Sequence, residues 1–101
     1  MSLKVYFQPA AEAQLEQIES YIEERASAVI AERFIDAIVA RCERLSAFPR
    51  RGTPRDDLGP GIRTIAHRRS VTIAYAVLED RVEILGIFYG GQDIEAAFSA
   101  S

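Results

Sequence analysis

Two apolar stripes at helical spacing, on helical segments joined by only about three residues, constrain this chain more than any other feature. Ala11, Leu15, Ile18 and Ile22 recur at steps of four, three and four, which is one face of an α-helix. Phe34, Ile35, Ile38, Val39, Cys42 and Leu45 repeat that spacing further on. Arg25-Ala26-Ser27 alone breaks the pattern, so the two helices must fold back on each other as an antiparallel hairpin. Gln8-Pro9 starts the first helix, because proline is tolerated at the first helical position. Glu12, Glu16, Glu19 and Glu23 cover its other faces. Ser27 is placed to cap the second helix, which is expected to stop at Phe48, since Pro49 disfavours helical geometry in the residue before it.

Both stripes need a surface to pack on, and the rest of the chain supplies strands. Residues 3–7 alternate, with Leu3, Val5 and Phe7 on one face. Residues 62–67 (IRTIAH) read as extended. Residues 71–78 place Val71, Ile73, Tyr75 and Val77 together. In residues 82–89, Val82, Ile84 and Phe88 share one face and Leu85, Ile87 and Tyr89 the other, while Gly86 signals a bulge or a close helix approach. Arg68-Arg69-Ser70 and Glu79-Asp80-Arg81 fit hairpin turns. Residues 49–61 hold three prolines and three glycines and read as a loop. Gly90-Gly91 ends the last strand, and Asp93 caps a short helix to about Phe98. The expected fold is α+β with two layers, in the order β-α-α-β-β-β plus the short C-terminal helix. The helical hairpin covers one face of a mainly antiparallel four-stranded sheet.

With 101 residues the chain is expected to form one domain, 1–101. Apolar types at 49 % and charged types at 27 % favour an ordered domain over a disordered one. No apolar run reaches a membrane span, and no secretion signal is visible, so a cytoplasmic protein is expected. One cysteine rules out an internal disulfide, and one Cys with one His makes a zinc site untenable; neither metal nor cofactor is expected. The net charge of −3 is uneven. Residues 50–69 carry six arginines against two aspartates, while both flanking segments are acidic. An acidic chain with one basic stripe is unsuited to general nucleic-acid binding, and no sequence-specific binding is expected. Eleven of the twelve basic residues are arginine, which suits bidentate and stacked contacts.

At this level of detail the chain resembles the RelE/ParE superfamily of toxins from bacterial type II toxin–antitoxin systems, the ParE branch most closely. The residues that carry the likeness run from Pro9 through Ala11, Leu15, Ile18, Tyr21 and Ile22 to Ala31-Glu32-Arg33-Phe34. They continue with Leu45-Ser46-Ala47-Phe48-Pro49-Arg50-Arg51-Gly52, Gly61-Ile62-Arg63, Ile73-Ala74-Tyr75, Val82 to Ile87 and Asp93-Ile94-Glu95. The resemblance implies a sheet in which the first strand lies beside the last. It also implies neutralisation by a ParD-like antitoxin, plasmid stabilisation, and growth arrest through DNA gyrase. The RelE branch instead cuts mRNA on the ribosome.

RNA cleavage without a metal needs a base, an acid and a cation for the developing phosphate charge. Of the basic set that the RelE branch carries, this chain keeps Arg63. The following positions fall on Ile65 and Thr72, and the segment after the last strand reads Tyr89-Gly90-Gly91-Gln92. The expected action is therefore gyrase inhibition by binding, with a ribosome-dependent mRNA endonuclease or a non-toxic degenerate member as alternatives. Candidate target contacts are Arg63, His67, Arg68 and Arg69 around the first hairpin, taken as exposed, with Tyr89 and Gln92 beyond. The plain structural role for this cluster is protection of 62–67 as a charged sheet edge. Leu58 and Ile62 are candidates for the antitoxin contact, with Ile30 and Val39 as exposed-face residues; an antitoxin tail is expected to lay a helix over the hairpin, add a strand to an open sheet edge, or do both, with an exposed apolar groove as the sign. Cys42 is expected to be a buried hydrophobe, and Tyr21 and Tyr75 packing residues. Arg50, Arg51 and Arg55 are expected to pair with Asp56 and Asp57.

Overall fold

The computed structural model describes residues 2–99; positions 1, 100 and 101 of the expected domain lie outside the described residues. The order is β1 (Lys4–Phe7), α1 (Pro9–Arg25), α2 (Ala28–Glu43), a 3-10 turn (Arg44–Ser46), β2 (Thr53–Pro54), β3 (Ile62–His67), β4 (Val71–Val77), β5 (Arg81–Tyr89) and α3 (Ile94–Ser99). Pro9 opens α1, and the Ser27 hydroxyl accepts from the Ile30 amide at 3.1 Å to cap α2. Helical geometry does not continue to Phe48. It tightens into the 3-10 turn, which buries Leu45, and Phe48 stays exposed. The Ser46 hydroxyl and carbonyl both bond to Leu3, clasping this turn to the start of β1.

The sheet order is β1-β5-β4-β3-β2, so the first strand does lie beside the last, and the pair is parallel. Five strands replace the four expected. Thr53–Pro54, inside the predicted loop, pairs with Thr64 and Arg63 and flanks β3. Residues 62–67 are therefore not a bare edge. The Arg55 amide donates to the Ile62 carbonyl at 2.7 Å, and Arg41 Nη2 reaches the Ala66 carbonyl at 3.3 Å. A two-residue strand holding a proline has too little periodicity to stand out from a loop, and its pairing depends on β3.

One correction concerns β5. Ala74 pairs with Gly86 but Tyr75 pairs with Ile84, which leaves Leu85 as the extra residue of a bulge. The bulge reverses the alternation, so Val82, Ile84 and Ile87 all join the core under the helices, with Tyr89 at its margin. Phe88, predicted on the Val82 face, lies instead on the opposite face, where its ring centre is 6.2 Å from that of Phe98 on α3. A Cβ on Gly86 would lie 2.7 Å from the Phe88 ring, which is why glycine follows the bulge. The main core joins Ala11, Ile18 and Ile22 of α1 and Ala31, Ile38 and Cys42 of α2 to Ile73 and Tyr75 of β4.

Candidate binding surface at one end of the sheet

Antiparallel register places His67, Val71 and Tyr89 in one row across β3, β4 and β5. The Arg68-Arg69-Ser70 turn and Gly90 therefore meet at the same end of the sheet, where the Gly90 amide donates to the Ser70 carbonyl at 2.8 Å. Five of the six predicted target contacts, His67, Arg68, Arg69, Tyr89 and Gln92, belong to this end. Arg68 takes the left-handed conformation (φ 55°), which costs an L residue roughly 1–2 kcal/mol.

Arg63 is set apart. It sits opposite Tyr75, and its Nη1 donates to the carbonyls of Arg50 at 3.0 Å and Gly52 at 2.8 Å. The Gly52 amide in turn donates to the Tyr75 hydroxyl at 2.9 Å. Arg63 and Tyr75 thus hold the Pro/Gly-rich segment against the sheet. The Tyr75 phenol is pushed above its ordinary value by burial, against the pull of the Gly52 bond and of Arg63.

Beyond Phe7, β1 no longer covers β5, so the outer amides of Ile87 and Tyr89 have no strand partner. Gln14 Oε1 accepts from Ile87, and Gln92 Oε1 accepts from Tyr89, each at 2.7 Å. Next to this capped edge opens a cleft of about 370 Å³, lined by Gln17, Ile18, Tyr21 and Tyr89 to Gln92. Its wall is aromatic. Tyr89 packs edge-on to Tyr21 (centres 5.6 Å apart) and to Phe34 (5.7 Å). The Arg25 guanidinium lies 3.7 Å from the Tyr21 ring centre. Edge-to-face aromatic pairs of this kind each add about 0.5–1.5 kcal/mol beyond their buried area. The cleft thus combines an aromatic wall with amide groups and has no cation among its lining residues.

The expected exposure of His67 is corrected. The residue keeps only 8 % of its surface, and Nε2 is buried without a hydrogen-bond partner. Its neighbour across the ladder is Val71, a core position, so the strand alternation turns the ring toward the helices. Burial, and then the charges of Arg68, Arg41 and Arg44, hold its pKa below the ordinary value. Ile62 is likewise buried, whereas Leu58 is half-buried. Both belong to the α3 side. Ile62 alternates with the core-facing Arg63 and Ile65, and Leu58 lines a small cleft with Asp57, Glu95, Phe98 and Ser99. Arg55 clamps this region through a two-point bond to Asp57, both contacts at 2.9 Å, and a weaker 3.9 Å pair with Glu95. The expected pairing of Arg50 and Arg51 with these aspartates does not form; the ion pairs of the loop belong to Arg55.

Residues 5–94 match the family model described as the ParE toxin of type II toxin–antitoxin system, parDE. The chain belongs to the ParE toxin family. Solved structures of toxin–antitoxin systems share its fold, and two of them serve as examples. One is a chromosomal ParDE system from P. aeruginosa, at 21 % identity and a TM-score of 0.77, covering 88 % of this chain and 97 % of that one. The other is a RelBE toxin–antitoxin complex from Mycobacterium tuberculosis, at 23 % identity and a TM-score of 0.66, covering 88 % and 99 %. No curated protein matches the chain significantly.

Within this ParE-family fold, sequence reasoning missed Gln14, Gln17, Arg25 and Phe34 and gave Tyr21 to packing alone. Tyr21 in fact keeps 44 % of its surface exposed while it touches Tyr89. The one available signal was that Tyr21 lies one turn beyond Ile18 on the stripe. The glycine that ends the run Leu45 to Gly52 also gains a reason: a Cβ there would lie 2.5 Å from the Tyr75 hydroxyl.

Proposed function

We propose that this ParE-family chain acts by gripping a larger enzyme, DNA gyrase, without carrying out a reaction, and that a ParD-like antitoxin holds it inactive. The observation that carries this reading is the engagement of Arg63. The cation that would serve phosphodiester chemistry donates instead to the Arg50 and Gly52 carbonyls. The negative charge that develops on the phosphate as the next nucleotide's oxygen departs needs such a cation free and aimed at it. The aromatic and amide cleft at Tyr21, Tyr89 and Gln92 has the composition of a protein contact, since tyrosine is enriched at interface cores. The antitoxin part of the reading is supported by the fold it shares with the ParDE and RelBE systems. Tyr21, Val29 and Ile30 on the helical hairpin are exposed apolar residues suited to an amphipathic partner helix.

The test is a gyrase supercoiling assay with the purified chain. Inhibition with accumulated cleaved DNA is expected, weakened in Tyr89→Ala and Gln92→Ala. Unaffected supercoiling at excess protein would reject the proposal. Cut ribosome-bound transcripts after induction, abolished by Arg63→Ala, would establish the mRNA endonuclease in its place. Undisturbed growth on expression without antitoxin would point to a non-toxic member.

A further inference from the structure

The arginines of this chain fall into two groups. Arg25, Arg55 and Arg81 each have a carboxylate within 4 Å. The other eight, Arg41, Arg44 and Arg68 among them, form no ion pair among the described residues, although the chain holds 15 acidic residues. Those three converge on one place. Arg41 reaches from the last turn of α2 to the Ala66 carbonyl at the end of β3. Arg44 follows one turn later, in the 3-10 turn. Arg68 begins the β3–β4 turn. Between them lies His67, with Nε2 buried and unpartnered. The charges acting on its ring are those of Arg68, Arg41 and Arg44, one from each neighbouring segment, and all are positive.

A buried polar atom without a partner lies here beneath cations that form no ion pair, and an anion on that surface would balance their charge. We propose that the surface formed by Arg41, Arg44, His67 and Arg68 docks an acidic peptide segment, whose carboxylates seat on the arginines above the histidine. Guanidinium forks match carboxylates in two-point geometry. The peptide is favoured over a nucleic acid because three clustered arginines make a small patch, whereas nucleic-acid binding draws on many phosphate contacts over a broad positive surface. The site lies on the helix-facing side of β3, two strands across the same row from Tyr89. The proposal deepens the antitoxin reading and rests on it only for where the acidic segment comes from.

His67 is the only histidine, so its imidazole gives one unambiguous pair of ring C–H resonances in NMR. The full chain is titrated at low salt with hexaglutamate, with hexaglutamine, and with a thymidine hexanucleotide. Hexaglutamate is expected to move the ring resonances and to raise the pH at which they titrate, because an anion on the arginines favours the protonated ring. Hexaglutamine should do neither. Arg41→Gln with Arg44→Gln, its fold verified by an unchanged backbone spectrum, should weaken the peptide about tenfold or more. A ring signal that hexaglutamate leaves in place overturns the proposal. So does a peptide affinity unchanged in the double variant, or a hexanucleotide that binds as well as the peptide. The probe contains no antitoxin sequence and the readout involves no gyrase, so failure here is separate from failure of the proposed function.

Discussion

Replacing Tyr75 with phenylalanine removes one hydroxyl and leaves the rest of a fully buried ring in place. That hydroxyl accepts the Gly52 amide at 2.9 Å, and the same glycine's carbonyl is held by Arg63 at 2.8 Å. A buried amide left without a partner costs about 1–3 kcal/mol. Gly52 is only half-buried, so water replaces part of the bond, and the expected loss is about 1 kcal/mol. For a chain of this length that lowers Tm by about 4–8 °C. Urea denaturation should show a lower midpoint with an unchanged slope, because no core surface is lost. Hydrogen exchange should show the Gly52 amide losing protection ahead of the β4 amides. A second variant, Gly52→Ala, tests the other side of the contact. Its Cβ would lie 2.5 Å from the Tyr75 hydroxyl and 2.8 Å from the Thr64 carbonyl, an overpacking that costs about 1–3 kcal/mol. Combining the two relieves the first clash and not the second, so the double variant should lose less than the two single losses together. Strict additivity would refute the reasoning, as would a Tyr75→Phe chain of parental stability with Gly52 exchange unchanged.

Three further outcomes are expected. The unfolded His67 ring binds a proton that the folded ring, its pKa held below 6.5, binds less readily; stability should therefore fall as pH drops through about 6.5, and His67→Gln should flatten the urea midpoint between about pH 7 and pH 5. Burial pushes the Cys42 thiol up to about 12, so an alkylating reagent should leave it untouched in the native chain and modify it once urea unfolds the protein. Ile38→Ala, at a fully buried position on α2, should cost about 2–5 kcal/mol in urea denaturation. Leu15→Ala, on a half-buried residue, should cost less.

The helices were legible because their signals are short-ranged. The stripe from Ala11 to Ile22 needs only the helical period, and the Ser27 and Asp93 caps each act on an amide three residues on. For the candidate surface, the residue types after β5 were readable, but their setting was not. Tyr89 is a wall because α1 and α2 bring Tyr21 and Phe34 to it, and periodicity within β5 carries no information about that.

Local composition thus determined the helical hairpin, every strand segment except β2, the turns and the single cysteine's place in the core. Tertiary structure alone decided that β1 runs parallel beside β5, that a bulge at Leu85 sends Phe88 to the opposite face, and that His67 is buried. It also decided that Arg63 holds a loop. The reason is physical. A period or a cap is settled by groups within a turn of one another, whereas a pairing such as Gln8 to Glu83, at 2.6 Å across 75 residues of chain, exists only once the whole sheet has closed.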